Sequence, residues 1–368
     1  MRSEAHVVVI GAGMIGLSCA YWLSKFGVED IVVVDREKDI AKGATSRCAG
    51  VITENFHDKT LVNLARESKK LYRQITCGLV NNGQLFLYGD LEKIGEAKKN
   101  AKMQKELHVS VEELERAYIF EHIPAAFLDD INLGILYKGD ATADVEKVIK
   151  HFKDECDINE VEFLFDTGIR HINSREGKIV EVATNKGNIK TNIIINAAGA
   201  HAGVVGHLAG VDVPVLPMRM HALTTTAVSE ISSKIPSVND QRYNILTLPY
   251  KEGFYLLQQY HHEEHGFFTG VEDHFIHDML FDVEKRFPAF SSARIKDKFS
   301  GYHSITPDKK PIIGETSLKG FYCACGFNGH GFTFAPVIGM IIADMIVHPE
   351  SRHDITGLEW KRFKKKKN

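Results

Sequence analysis

"VVVIGAGMIGLSCAYWLSKFG" occupies residues 7–27, and "DIVVVD" follows at 30–35. Residues 6–10 end a continuous apolar run, the pattern of a strand buried on both faces. Helical spacing of apolar residues then runs from Met14 to a stop at Gly27, and a second buried strand ends on Asp35. Strand, helix and strand make a βαβ unit. At its first turn Gly11 permits the tight bend, Gly13 lets the backbone approach a pyrophosphate, and Gly16 lets the helix pack on the strand. Ala12, Met14 and Ile15 complete a loop whose free N–H groups and helix dipole favour phosphate. Asp35 lies at the offset of about 20 residues expected of the acid that binds ribose hydroxyls. An acid here favours the free 2′-hydroxyl of NAD or FAD, while neighbouring Arg36 leaves room for NADP.

A second glycine cluster, "CGFNGHGFTFAPVIG" at 325–339, separates the two dinucleotides. Gly326, Gly329 and Gly331 surround Asn328 and His330 just before an apolar helix. An NAD enzyme has no need of a second backbone cradle so far downstream. A flavin does, because its ring lies far from the pyrophosphate and is held by its pyrimidine edge. Backbone N–H groups at a helix start suit the N1–C2=O region, where negative charge grows on reduction. The cofactor is therefore expected to be FAD, with Gly329, His330 and Gly331 along its edge. The backbone of this loop carries that expectation; the His330 imidazole reads equally as core packing.

The remaining composition sets bounds. The chain has 368 residues, 44% hydrophobic and 25% charged, with a formal net charge of −3. That suits a soluble protein of two domains and provides no field for nucleic acid. The apolar run near 334–347 carries Asp344 and reads as a buried helix rather than a membrane span. No charged n-region and cleavage site precede the first strand, so no signal peptide is expected. Six scattered cysteines lack zinc spacing and read as reduced thiols, which points to a cytoplasmic protein. "HHEEH" at 261–265 fits a solvated turn better than a metal site, so no metal is expected. "KRFKKKKN" at the C-terminus reads as a solvated, frayed tail.

The fold class expected is α/β, a Rossmann-type FAD-binding domain interleaved with a mostly antiparallel α+β substrate domain. Residues 1–80, 143–215 and 297–350 are assigned to the first, 81–142 and 216–296 to the second, and 351–368 to the basic tail. Residues 60–75 and 92–118 read as charged helices, "DVEKVIKHFKDE" as an amphipathic helix, and "GQLFLYG", "GFYLLQQY" and "GFFTGVE" as strands.

Four stretches in order carry a family likeness: "VVVIGAGMIG…VVVD", "GATSRCAGVI", "IIINAAGAHAGVVGHLAG…VPVLPMR" and "GYHSITPDKKPIIG…GFYCACGFNGHGFTFAPVIG". They span nearly the whole chain. It resembles the D-amino-acid-oxidase-like (DAO) superfamily of FAD-dependent oxidoreductases. Within it the likeness is strongest to the β subunits of archaeal dye-linked L-proline dehydrogenases, then to the sarcosine oxidase group. The resemblance implies that Gly43, Ala44, Thr45, Ser46 and Arg47 wrap the pyrophosphate and ribityl chain. It implies that Gly50 and Val51 pass the ring, that Ile169 meets adenine, and that Ala198 and Gly199 pack on the dinucleotide. Phe332 and Thr333 follow the edge loop. Gly301 stands where sarcosine oxidases carry a cysteine that attaches FAD, which implies noncovalent FAD.

The likeness has gaps. Phe268 falls near the place of an oxygen-activating lysine, which points to a dehydrogenase. Thr53 stands where relatives hold the substrate carboxylate with arginine, and Thr333 where they place a lysine. A buried carboxylate needs a cation or several donors; Arg219 and Arg242 are candidates, though Arg219 reads evenly as structural. Glu54 and Glu272 are candidates to hold an ammonium, and Tyr255 aligns with a tyrosine near substrate. The implied reaction oxidises the C–N bond of a secondary amine or amino acid, proline- or sarcosine-like, by hydride transfer to flavin N5. His221 and Tyr255 are candidate assistants. An alternative donor is a 2-hydroxy acid or glycerol 3-phosphate, which would make a histidine base essential. A third reading is an FAD-binding subunit active only in a hetero-oligomer. Substrate identity, electron acceptor, and homo- or hetero-oligomeric state stay open.

Overall fold

The computed structural model describes residues 2–75, 77–258, 265–350 and 353–364. The chain opens with β1 (Val7–Ile10), α1 (Met14–Lys25), β2 (Ile31–Val34), β3 (Val51–Ile52) and α2 (Lys59–Tyr72). It continues through β4 (Gln84–Tyr88), α3 (Leu91–Glu106), β5 (Val111–Leu114), α4 (Arg116–His122), β6 (Leu133–Tyr137) and β7 (Ala141–Thr142). Next come α5 (Val145–Ile158), β8 (Glu162–Leu164), β9 (Ile169–Arg175), β10 (Lys178–Thr184), β11 (Gly187–Lys190), β12 (Ile193–Asn196) and α6 (Ala202–Leu208). Then follow β13 (Leu216–Thr225), β14 (Ser237–Asp240), β15 (Ile245–Tyr250), β16 (Gly253–Gln258) and α7 (Asp273–Arg286). The last elements are β17 (Ile295–Ile305), β18 (Ile312–Glu315), β19 (Phe321–Cys325) and α8 (Gly331–Val347).

Among the described residues the strands form four sheets. The six-stranded one runs β18-β19-β12-β1-β2-β8 and is parallel except for β18. Its unbroken apolar strands are explained by two cores. Side chains alternate across a strand, so Val7, Val9, Ile31 and Val33 pack with α1 and α8. Val8, Ile10, Val32 and Val34 pack on the other side with α6 and the three-stranded sheet β11-β10-β9. The expected Rossmann-type α/β architecture is thus present. α1 and α8 cross so closely that a Cβ on Gly339 would lie 2.2 Å from Ser18 Oγ.

The eight-stranded sheet runs β17-β13-β16-β15-β14-β4-β6-β5 and is antiparallel except where β14 meets β4. The two-stranded ribbon of β3 and β7 lies between it and α8.

Three local readings need correction. The helix expected over 92–118 ends at α3, because His108 turns left-handed (φ 61°) and residues 111–114 pair with β6 instead. Edge pairing outweighs the helix propensity of "VEEL". "GFFTGVE" is not a strand but a connection into α7. The described start of "KRFKKKKN" is not frayed: Lys361–Phe363 continue a 3₁₀ turn from Trp360, and Arg362 Nε donates to Asp308 Oδ2 at 2.7 Å. The rest of the tail, residues 365–368, and four of the five residues of the metal-site reading, 261–264, lie outside the described residues.

Candidate functional site

Two helix starts meet side by side. α1 begins at Gly13 and α8 at His330, both without a side-chain cap and without an acidic residue in the first turn. A Cβ on Gly331 would lie 4.0 Å from Ile15. Each helix start leaves backbone N–H groups without intrahelical partners. Gly11 has φ 109°, and a Cβ there would sit 2.5 Å from Ala197 O, so glycine is required for the turn. Ala198 packs on the same point, and Gly199 opens a 3₁₀ turn over Gly199–His201. Asp35 sits at the end of β2. Its Oδ2 accepts from Ala12 N at 2.7 Å and its Oδ1 from Glu37 N at 2.8 Å. The acid braces the glycine loop while keeping lone pairs for a ribose. Ile169 opens β9 beside Thr167, whose N–H donates to Asp35 O.

Arg36 is committed: its Nη1 meets His201 Nε2 at 2.7 Å. Burial, with Arg36 adding to it, pushes His201 down to about 4. The neutral ring stacks on Phe267 at 4.1 Å.

Gly43 leads into the 3₁₀ turn Ala44–Arg47. Thr45 Oγ1 accepts from Met14 N at 3.1 Å, and Ser46 Oγ donates to Gly43 O. Arg47 Nη1 donates to the carbonyls of Lys42 and Gly43, both at 2.7 Å. A Cβ on Gly301 would lie 3.2 Å from Arg47 Cδ. At the far end Gly50 needs φ 71°, and Val51 enters β3. The downstream loop is equally constrained: Gly326, Asn328 and Gly329 have φ 73°, 52° and 90°. Asn328 bolts it to the end of β17, with Oδ1 accepting from Thr306 N and Nδ2 donating to Gly326 O. Phe332 O accepts from Tyr72 OH.

Strand alternation divides the expected catalytic residues. Tyr255, Ala222, Leu246 and Leu248 share the sheet face that packs on Ala49 and Val51. Leu223, Phe254 and Leu256 share the opposite face, which packs on α7. Arg219 and His221 are in phase with Leu223, so they lie on the α7 face. The His221 ring stacks on Phe275 of α7 at 4.5 Å. Arg219 bonds Glu272 and holds its carboxyl below the usual range. Its guanidinium also lies over the Phe268 ring. The structure therefore corrects four expectations. Arg219, His221 and Glu272 lie behind the sheet, and Phe268 lies with them. Arg242, the other candidate anchor, pairs with Asp130 at 3.1 Å. Tyr255 is on the cleft side, but its hydroxyl donates to Arg47 O at 2.8 Å, so it holds the loop rather than a substrate proton.

Thr53 and Thr333 do come together. Thr53 N donates to Thr333 Oγ1 at 3.4 Å, and Thr333 Oγ1 donates to Val51 O at 3.1 Å. Glu54 is neither exposed nor available for an ammonium, because Lys69 Nζ lies 3.0 Å from its Oε2. Below them Asp140 Oδ2 accepts from Thr53 Oγ1 at 2.5 Å and Oδ1 from Glu54 N at 2.9 Å. Sequence reasoning missed Asp140 and Lys69; a lone acid in "KGDATAD" and a lysine in a charged helix carry no local signal. Two imidazoles line the cleft at the other glycine loop. A Cβ on Gly329 would lie 2.7 Å from His303 Cε1. Surrounding atoms crowd His303 and His330, although the latter's ring is open at the cleft mouth. That crowding, then a neighbouring imidazole, pushes each down to about 4.

With this geometry in view, the comparisons are informative. The family model for FAD dependent oxidoreductases (DAO) matches residues 6–345, and the chain belongs to that family. It is 28% identical over 389 residues to mitochondrial sarcosine dehydrogenase of Homo sapiens, covering 99% of this chain and 42% of that protein. It is 24% identical over 390 residues to mitochondrial dimethylglycine dehydrogenase of Rattus norvegicus, covering 99% and 45%. The chain thus spans less than half the length of these curated relatives. Its fold superposes on L-proline dehydrogenase from P. horikoshii with TM-score 0.91 and 26% identity, over 99% of this chain and 98% of that one. The expected family and cofactor are borne out, and two uncapped glycine-rich helix starts side by side fit FAD.

Proposed function

We propose that this chain oxidises the C–N bond of a secondary amine or amino acid and passes the electrons to a separate acceptor, as a dehydrogenase. Bound FAD would supply the acceptor for the hydride equivalent. The α1 start and the Gly43–Arg47 turn would hold its pyrophosphate. The α8 start, with Gly329 to Gly331, would hold the ring edge through backbone N–H groups. Tyr255 would keep the Arg47 loop closed on it. Noncovalent attachment follows from Gly301 in place of a cysteine. On this reading the six-stranded sheet forms the cofactor domain and the eight-stranded sheet the roof of the substrate chamber.

The observation that carries an amine over an alcohol is the position of His221, stacked on Phe275 behind the sheet. An alcohol donor needs a base for its hydroxyl proton. Half-buried His303, beside the second glycine loop, is pushed below the ordinary imidazole range by its surroundings, which weakens it as a base near neutral pH. A neutral amine needs no base, only orientation and exclusion of water. The relatives named as sarcosine, dimethylglycine and L-proline dehydrogenases support the same class.

The test is anaerobic addition of sarcosine, dimethylglycine or L-proline to the flavin-loaded protein, then a redox dye. Bleaching of the flavin followed by recolouring with the dye supports the reading. Bleaching that recovers with oxygen as fast as with dye contradicts the dehydrogenase part.

A further inference from the structure

We propose that Asp140 is a positioning residue of the cofactor cleft, and that gain or loss of one proton on its carboxyl changes how tightly the cleft holds FAD. This rests on the reading that the α8 start holds the flavin edge.

The geometry is a closed chain of contacts. Asp140 lies between β6 and β7 and is 1% exposed; Thr53, Glu54 and Lys69 are 4%, 7% and 6% exposed. Asp140 grips the β3–α2 connection at two points, the Thr53 hydroxyl and the Glu54 N–H. Thr53 in turn donates its N–H to Thr333 in the first turn of α8. A push on Asp140 therefore reaches the helix start through two hydrogen bonds. Gly139 brings the Lys69–Glu54 pair against the chain just before Asp140, since a Cβ there would lie 2.7 Å from Lys69 Nζ and 3.0 Å from Glu54 Oε2.

The charges around this carboxyl do not balance. Glu54 faces it from the β3–α2 connection, Lys69 and the partly exposed Arg66 come from α2, and Tyr137 comes from β6. Lys69 is already bonded to Glu54, and Arg66 reaches only to 3.9 Å of the same carboxylate. An ionised Asp140 leaves two buried carboxylates on one buried ammonium, a costly arrangement. A protonated Asp140 leaves Glu54 alone to face Lys69 and the partly exposed Arg66, and it reverses the bond to Thr53, because it then donates rather than accepts. Burial, with Glu54 adding to it, pushes Asp140 up to about 7 against the opposing bonds from Thr53 and Glu54 N–H. Both states are therefore reached near neutral pH.

The experiment titrates FAD affinity, by recovery of free-flavin fluorescence, from weakly acidic to weakly alkaline pH. Wild type is expected to show a several-fold, one-proton step near neutrality. D140N is expected to bind FAD with that step absent. E54Q removes a repelling charge and is expected to move the step to lower pH; K69M removes an attracting one and is expected to move it higher. Opposite shifts are a signature that a merely structural cluster does not produce. A step that persists in D140N, or shifts of E54Q and K69M in the same direction, would overturn the proposal. If D140N does not fold, the other two variants still decide. Turnover is not read, so a failure of the amine reading leaves this result unaffected.

Discussion

The Tyr255 hydroxyl donates to the Arg47 carbonyl at 2.8 Å and so ties the eight-stranded sheet to the 3₁₀ turn that ends at Arg47. The bond joins β16 to the Gly43–Arg47 loop across 208 positions of sequence. Burial drives the Tyr255 hydroxyl well above its ordinary range, so it stays a neutral donor at any working pH. Tyr255→Phe deletes one hydrogen bond worth about 1 kcal/mol, which is roughly fivefold. The expected outcome is FAD affinity weaker by about that factor, measured by fluorescence titration, with the pH profile of flavin reduction unchanged. A displaced pH profile would return Tyr255 to acid–base chemistry.

His221 separates an amine donor from an alcohol donor. Its ring packs on Phe275 behind the sheet. His221→Ala is expected to lower the thermal midpoint by several degrees while changing the rate of flavin reduction less than about tenfold. Loss of a true general base costs about 10²–10⁴-fold. A loss in that range, seen by stopped-flow absorbance, contradicts its placement outside the chemistry.

Gly329→Ala probes the ring-edge cradle. The residue has φ 90°, and an added Cβ would fall 2.7 Å from His303 Cε1. The strain of such a backbone costs about 1–3 kcal/mol before the clash is counted. The variant is expected to purify with little flavin but with wild-type secondary structure by circular dichroism.

Acid should loosen this cleft through His303. His303 titrates near 6.5 when unfolded but is held to about 4 in the fold. The unfolded chain binds more protons between those values, so stability is present above 6.5 and is lost as pH falls toward 4. Asp140 works with the opposite sign, since its raised carboxyl favours the fold at low pH and loses that contribution as pH rises toward 7. His303→Gln is expected to flatten the fall of the thermal midpoint of flavin-free protein between pH 6.5 and about 4, and D140N, which removes an opposing contribution over nearly the same range, to steepen it.

Much of the cofactor site is written locally. The glycines at 11, 13 and 16 and the cluster at 326–331 mark two helix starts and their turns, because backbone geometry and helix starts are short-range properties. The eight-stranded sheet is harder to read. Period-two alternation reveals that Arg219 and His221 share a face with Leu223, but nothing near β13 says whether that face meets cofactor or helix. The answer comes from Ile276 and Met279 on α7, which cover it. Asp140 is hidden for the same reason, since its partners lie 86 and 87 positions away. The strand at 111–114 exists only because β6 presents an edge to pair with.

The most direct measurement is the visible absorbance of the bound flavin under anaerobic conditions, with donors added in turn. Sarcosine, dimethylglycine or L-proline is expected to bleach it, while a 2-hydroxy acid and glycerol 3-phosphate leave it oxidised. Bleaching by an alcohol with none by the amines would contradict the account.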